Sequence, residues 1–276
     1  MKILFTLLCC ITIIASTFAQ AEIYGQIIDR KTKAPLPYAN IGIKNSTTGT
    51  VSDDHGRFNL KHYNPEDSLL ISYIGYQTIM ISANAIQPGS TVPLEPESFY
   101  IEEVKITASR FKNETILGVR NDNGRGPSVG YGNPQLGTEL GTVIRIDKET
   151  FLKSVNVVLN HAKGDSLLFR INFYDFSNNV IGDKVVRENI YLKEKQRKGT
   201  YTINLESNDI TLSKDVLVTV EWLKNFGDTD SSQITFDTKK SKKDSGVYIR
   251  SSQTSDFRKM EGPKKYKPCI YLIGMQ

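Results

Sequence analysis

The chain has 276 residues, 39% hydrophobic and 24% charged, a balance ordinary for globular proteins and sufficient to bury a core in one or two domains. The formal charge of +5 is localised. Lys239, Lys240, Lys242, Lys243, Arg258, Lys259, Lys264, Lys265 and Lys267 crowd the C-terminal quarter, while the first third is close to neutral. These residues read as solvated basic loops able to attract phosphate or anionic polysaccharide. They lack the aromatic or arginine spacing of base stacking, so nucleic acid is not supported as a partner.

Export is the first expectation in chain order. Met1-Lys2 gives a cationic start, Ile3 to Ala15 an apolar run, and Thr17-Phe18-Ala19 a small-x-small cleavage site. Residues 1–19 are thus expected to be a signal peptide, with the mature chain beginning at Gln20. The run is shorter than the roughly 20 residues that cross a bilayer, and no later segment supplies a transmembrane span. Cys9 and Cys10 lie inside the apolar run beside bulky Leu8, which argues against a lipid-modified cysteine. Removal of the peptide leaves Cys269 alone, so no intramolecular disulfide staples the fold. Its apolar surroundings in a closing strand suit a buried small hydrophobe.

From Ile23 to Leu94 short alternating segments predict a sandwich of about seven strands: Ile23 to Ile28, Tyr38 to Lys44, Gly49 to Val51, Phe58 to Leu60, Leu69 to Tyr73 and Gln77 to Ser82 among them. Pro35 and Pro37, Asn45 to Gly49 and Gly75 break the runs. Asp53-Asp54-His55-Gly56 reads as a tight hairpin reversal: acidic side chains accept from nearby backbone N–H groups and glycine supplies a positive φ. Two acids and a histidine together could suggest a site, but turn chemistry accounts for them.

Four blocks carry a family resemblance: Ile23-Tyr-Gly-Gln-Ile-Ile-Asp29, Pro35-Leu-Pro-Tyr-Ala-Asn-Ile41, Gly49-Thr-Val-Ser-Asp53 with Gly56-Arg-Phe58, and Leu70-Ile-Ser-Tyr-Ile-Gly75-Tyr76. In order and separation they resemble the carboxypeptidase regulatory-like domain, a transthyretin-like sandwich also found at the N-termini of TonB-dependent receptors of polysaccharide-degrading bacteria. The resemblance covers about the first third of the chain. It implies structural roles for Gly25, Gly49, Gly56 and Gly75 and core positions for Ile41, Phe58 and Ile71. It implies no peptidase: a carboxypeptidase needs zinc on a His-x-x-Glu pair and a distant His, and none of His55, His62 and His161 begins such a pair.

Glu95 to Ala108 resembles the segment that joins such a domain to a receptor plug, but the roughly 170 residues that follow are too few for plug and barrel. A linker is the favoured reading, with Val104 to Thr107 as an edge strand the alternative. Within the glycine-rich passage from Gly118 to Gly141, Gly126-Pro-Ser128-Val-Gly130 fits the pattern of a serine hydrolase. Its flanks form neither the strand nor the helix that would clamp a nucleophile, so it reads as a loop match. The passage also lacks the Gly-Lys-Ser/Thr ending of a phosphate-binding loop, and no cofactor is implied.

From Leu140 onward nine longer strands are predicted: Thr142 to Ile146, Leu152 to Asn160, Ser166 to Tyr174, Val185 to Leu192, Gly199 to Leu205, Val216 to Leu223, Gln233 to Asp237, Gly246 to Arg250 and Cys269 to Ile273. With no helical periodicity they make a second sandwich, most simply a jelly roll. The expected organisation is a signal peptide at 1–19, a regulatory-like sandwich at 20–96, a linker and glycine-rich loop at 97–139, and a C-terminal sandwich at 140–276. Candidate ligand-binding aromatics are Trp222, Phe226 and Tyr248, with Tyr174, Tyr191 and Tyr201 also available. Trp222, ending an apolar strand, has core burial as its competing role. Asp228, Asp230 and Ser231 could help hold calcium but lack the spacing of a calcium loop.

No catalytic constellation emerges. The chain reads as a non-catalytic exported protein of the periplasm or cell surface that presents loops to a protein or a glycan. Carbohydrate binding in polysaccharide capture is the sharper alternative and hydrolysis through Ser128 the remaining one.

Overall fold

A computed structural model describes residues 22–97, 111–121, 127–131, 135–162, 166–194, 198–226, 234–241, 246–260 and 266–276. The signal segment, most of the expected linker and Asp228 to Ser231 lie outside the described residues. The protein is all-β, with 3-10 turns at Ala83–Ala85 and Glu206–Asn208. Among the described residues no helix is long and apolar enough to cross a membrane.

Seven strands form the first sandwich: β1 (Glu22–Asp29), β2 (Asn40–Ile43), β3 (Gly49–Val51), β4 (Arg57–Lys61), β5 (Ser68–Ser72), β6 (Ile79–Ser82) and β7 (Ser90–Leu94). They split into a sheet ordered β4-β1-β7 and another ordered β3-β2-β5-β6. The period-two pattern works as a strand pattern should. Ile23 and Ile27 of β1 with Phe58 and Leu60 of β4 meet Ile41, Leu69 and Ile71 of the opposite sheet.

The Asp53 to Gly56 reversal differs from the expected hairpin in one respect. Its flanking strands belong to different sheets, β3 pairing with β2 and β4 with β1, so the turn is a corner between layers. Its chemistry is as read: Asp53 Oδ1 accepts from the N–H groups of His55 and Arg57, both at 2.8 Å. Gly56 has φ +71°, and a Cβ there would stand 2.5 Å from the Ile27 carbonyl oxygen. Gly56→Ala therefore combines left-handed strain with a backbone clash, and is expected to cost about 1–3 kcal/mol. Urea denaturation measures it; an unchanged midpoint would refute the strain.

The second sandwich runs β8 (Glu114–Gly118), β9 (Ser128–Gly130), β10 (Glu139–Ile144), β11 (Thr150–Ala162), β12 (Ser166–Ser177), β13 (Val180–Lys184), β14 (Ile190–Glu194) and β15 (Gly199–Asn204). It continues with β16 (Thr211–Leu212), β17 (Val216–Phe226), β18 (Ile234–Lys240), β19 (Val247–Arg250), β20 (Arg258–Met260), β21 (Tyr266–Pro268) and β22 (Ile270–Met275). One sheet is ordered β13-β12-β17-β10-β19-β20, with β14 also on β12. The other is ordered β21-β18-β11-β22-β8, with β15 and β16 on β11 and β9 on β18.

The strands beyond the predicted nine are mostly two to five residues long, below the length at which alternation is readable. Between Lys184 and Ile190 the expected strand start gives way to irregular chain, and the missed element is a hairpin. Asn178 and Asn179 have φ of 53° and 62° between paired Ser177 and Val180, the signature of a two-residue primed turn.

Between the two sheets lies the larger core. Phe169, Ile171 and Phe173 of β12 and Val218, Val220 and Trp222 of β17 pack against Val155, Val157, Phe236 and Leu272 of the opposite sheet. Alternation sends the intervening residues of β12 and β17 to the outer face. There the first sandwich sits.

Candidate functional site

On that outer face the sequence places a polar row at every second position: Arg170, Asn172 and Tyr174 on β12, Thr219 and Glu221 on β17, Glu139 on β10 and Arg250 on β19. Antiparallel register sets Arg170 opposite Glu221 and Asn172 opposite Thr219, and Glu139 opposite both Glu221 and Arg250. A solvated face is the default for such a row. Instead Arg170, Glu221 and Glu139 are 1%, 0% and 0% exposed, because residues of the first sandwich cover part of the face.

Burial obliges every one of these charges to find partners. Arg170 meets Glu221 in a fork, Nη2 to Oε1 at 2.8 Å and Nε to Oε2 at 2.9 Å, the bidentate geometry that suits a guanidinium to a carboxylate. Asn172 Nδ2 donates to Glu221 at 2.8 Å and to Glu139 at 3.2 Å, joining the two carboxylates. Glu139 also accepts from Thr219 Oγ1 at 2.5 Å, Arg250 Nη2 at 2.6 Å and Gln253 Nε2 at 2.7 Å. Tyr174 donates its hydroxyl to Glu139 at 3.1 Å and accepts from Arg250 Nη2 at 2.5 Å.

The first sandwich completes the network. The Tyr38 carbonyl accepts from Arg170 Nη1 at 3.0 Å, at a bend where Tyr38 takes φ +61°, unusual for a bulky residue. Asn40 of β2, with its amide oriented to match its partners, donates to Glu221 Oε1 at 2.8 Å and accepts from Arg170 Nη2 at 2.7 Å. Around these polar ties Val51 packs with Leu168 and Leu223. At the rim Asp54, from the corner turn, pairs with Lys224 at 2.9 Å.

The charges shift one another. Burial alone would push the Glu221 carboxyl up, but the charge and hydrogen bonds of Arg170 outweigh it and hold it at about 2. Burial drives the Tyr174 hydroxyl well above its ordinary value. Lys184 lies over the Tyr174 ring, 5.6 Å from its centroid. Desolvation first, then the neighbouring Arg170 charge, brings its ammonium down to about 8.

Two cavities open beside this network. The larger, about 630 Å³, lies over the outer face between the β12–β13 hairpin and the chain from β19 to β20; its lining includes Tyr174, Tyr248, Arg250, Gln253, Asp256 and Phe257. The second, about 390 Å³, lies at the junction of the sandwiches, where Tyr73 and Tyr76 of the first face Lys184 and Arg187 of the second. Tyr174, Gly182, Arg250 and Gln253 line both, so the cavities adjoin, and the two together make up the cleft. Both volumes lie in the range of about 300–1,000 Å³ usual for small-molecule sites. Its aromatic groups are braced: Phe257 packs edge-on to Tyr174 at 5.3 Å and carries the Arg250 guanidinium 4.2 Å from its centroid, while Tyr248 packs edge-on to Phe176 at 5.9 Å.

The candidates drawn from the sequence scatter. Tyr248 is half-buried and lines the larger cavity. Trp222 is 4% exposed in the core, its ring 5.9 Å from that of Tyr131. Its place on the inward-facing register of β17 removes it from any ligand surface. The side chain of Phe226 lies outside the described residues, as do the possible calcium ligands Asp228, Asp230 and Ser231. Among the described residues no three His, Cys, Asp or Glu side chains gather as metal ligands. Ser128 is not on a nucleophile elbow: it lies in strand β9, paired with Asp237 of β18, and that extended backbone lacks the strained strand-to-helix turn the chemistry needs. The basic cluster is not one patch either, since Lys267 is 7% exposed with its Nζ 3.4 Å from the Val143 carbonyl oxygen.

Missed by the sequence reading are Glu139, Arg170, Lys184, Glu221, Arg250, Gln253 and Phe257. One signal was available: charged residues of both signs at alternate positions of strands otherwise apolar. No curated protein matches the chain. Residues 23–106 match the family model of the CarboxypepD_reg-like domain, so the first sandwich, with Tyr38 and Asn40 at the junction, is similar to a non-catalytic β-sandwich interaction module.

Proposed function

We propose that this is a non-catalytic exported protein of the cell envelope that binds a glycan in the larger cavity, on the outer face of its second sandwich beside the junction with the first. The observation that carries this reading is the cavity of about 630 Å³, where half-buried Tyr248 and Phe257 stand beside Arg250, Gln253 and Asp256, with buried Tyr174 beneath them. A sugar presents an apolar ring face and a rim of hydroxyls, and needs aromatic surface next to hydrogen-bond donors and acceptors. The cleft offers both on strands and a short loop, which hold side chains more precisely than a long loop would. Export is supported by the cationic, apolar and small-x-small pattern of Met1 to Ala19. The absence of catalysis is supported by the non-catalytic character of the family matched at residues 23–106 and by the extended backbone at Ser128.

Affinity electrophoresis on a panel of neutral and acidic polysaccharides tests the reading. Retardation on at least one polysaccharide is expected, with Tyr248→Ala weakening it by about tenfold or more, as loss of an aromatic anchor does. Loss of the edge-on packing on Phe176 should lower the unfolding temperature by several degrees, so retardation is compared at a temperature where both proteins are folded. No retardation on any polysaccharide, or retardation indifferent to Tyr248→Ala, would overturn the proposal.

A further inference from the structure

The charged groups around Tyr174 do not balance. Arg170, Arg250 and Lys184 bring three cations, against the carboxylates of Glu221 and Glu139. Each carboxylate is already paired, Glu221 with Arg170 at 2.8 Å and Glu139 with Arg250 at 2.6 Å. Lys184 is the remainder. Among the described residues no carboxylate lies within ion-pair distance of its ammonium, which sits over the Tyr174 ring. Lys184 is half-buried, and a partly desolvated cation without a counter-charge gains from an anion brought to it what water supplies only in part there.

The cation also faces space of a suitable kind. Lys184 lines the 390 Å³ junction cavity, with Tyr73 and Tyr76 on the opposite wall and Arg250 and Gln253 where it joins the larger cavity. We propose that the junction cavity is a subsite for a carboxylate-bearing sugar, a uronic acid unit of the bound glycan, with Lys184 as its ion-pair partner. This rests on the glycan reading of the adjoining cavity: a chain lying along the cleft would put one sugar against Tyr248 and Phe257 and the acidic one between the sandwiches. Glu97, Asp183 and Arg187 also line the junction cavity, but all three are exposed, and solvent screens them more than it does Lys184.

Proton linkage gives the subsite a signature that a general attraction between charges lacks. Lys184 is faced by Arg170 and Tyr174 on β12, Glu221 on β17, Glu139 on β10 and Arg250 on β19. In the free protein it titrates at about 8, so near that pH about half of the molecules carry its proton. A carboxylate at Lys184 favours the ammonium form. Binding should then take up about half a proton at pH 8 and almost none at pH 6.

Titration calorimetry on the full chain, with galacturonate, glucuronate and mannuronate oligosaccharides and their methyl esters, reads both effects. At least one acidic oligosaccharide should bind about tenfold or more tightly than its own ester. Its binding enthalpy should depend on the buffer's ionisation enthalpy at pH 8 but not at pH 6. Lys184→Met should bring acid and ester to the same affinity and erase the proton uptake; Lys184→Arg should keep the preference without the uptake. Equal binding of acid and ester, or a preference that survives in a folded Lys184→Met protein, would overturn the subsite and leave the glycan reading standing. Binding of neither form by wild type, with no neutral polysaccharide bound, would overturn both.

Discussion

Arg170→Met is expected to destabilise the protein by about 3–5 kcal/mol, the cost of leaving a buried carboxylate without its partner. Glu221 is 0% exposed, and the guanidinium supplies two of its hydrogen bonds. Asn172 and Asn40 remain as donors, but neither carries charge. The same substitution also releases the Tyr38 carbonyl and Asn189, so the loss extends to the junction of the sandwiches. Urea denaturation should show the drop. The double variant Arg170→Met with Glu221→Leu should recover most of it, since replacing both members of a buried pair by apolar residues of similar volume is commonly close to neutral. A loss below about 1 kcal/mol for the single variant would mean that solvent reaches Glu221, as at a surface pair, and that the first sandwich does not cover it.

Acid should open the same junction. The folded value of Glu221, about 2, lies below its ordinary 4.5, so the unfolded chain takes up the proton first as pH falls. Its contribution is therefore complete above about pH 4.5 and is lost between there and pH 2, on the order of 3 kcal/mol in all. Stability followed by urea midpoint across that window should fall in wild type and change much less in the double variant. A parallel fall in both would assign acid lability to other carboxylates. At the alkaline end Lys184 acts with the opposite sense: its value of about 8 lies below the ordinary 10.5, so the unfolded chain holds more protons between these limits and stability rises with pH across them.

The fold was legible because its signals are local. Alternation at Ile23 to Ile28, at Phe169 to Tyr174 and at Val218 to Trp222 fixes which side chains face inward, since successive side chains of a strand point to opposite faces. Asp53 and Gly56 announce a reversal through hydrogen bonds and a φ that span only four residues. They do not announce which strands the reversal joins. The corner between sheets follows from β3 finding β2 and β4 finding β1, pairings that depend on distant partners. Asn178-Asn179 was equally local and could have been read as a primed turn. It places Gly182 and Lys184 at the cleft.

The site was legible only in part. Tyr248 could be named from the sequence as an aromatic of the second sandwich, but so could Trp222, and strand register alone puts one at the cavity and the other in the core. Arg170 and Glu221 are 51 residues apart and look in the sequence like the solvated face of a half-buried sheet. Their burial requires a second module to sit on that face.

The sequence by itself determined the longer strands, their inward faces, the corner chemistry at Asp53 to Gly56 and the likeness of the first sandwich to the CarboxypepD_reg-like domain, all of which rest on short-range patterns of polarity and backbone preference. Tertiary structure alone decided that the outward faces of β12, β17, β10 and β19 become an interior, that their charges pair across strands, and that Lys184 is left over beside a cleft. The physical reason is that desolvation and ion pairing depend on what lies within a few ångströms in space, and here the neighbours come from strands far apart in the chain.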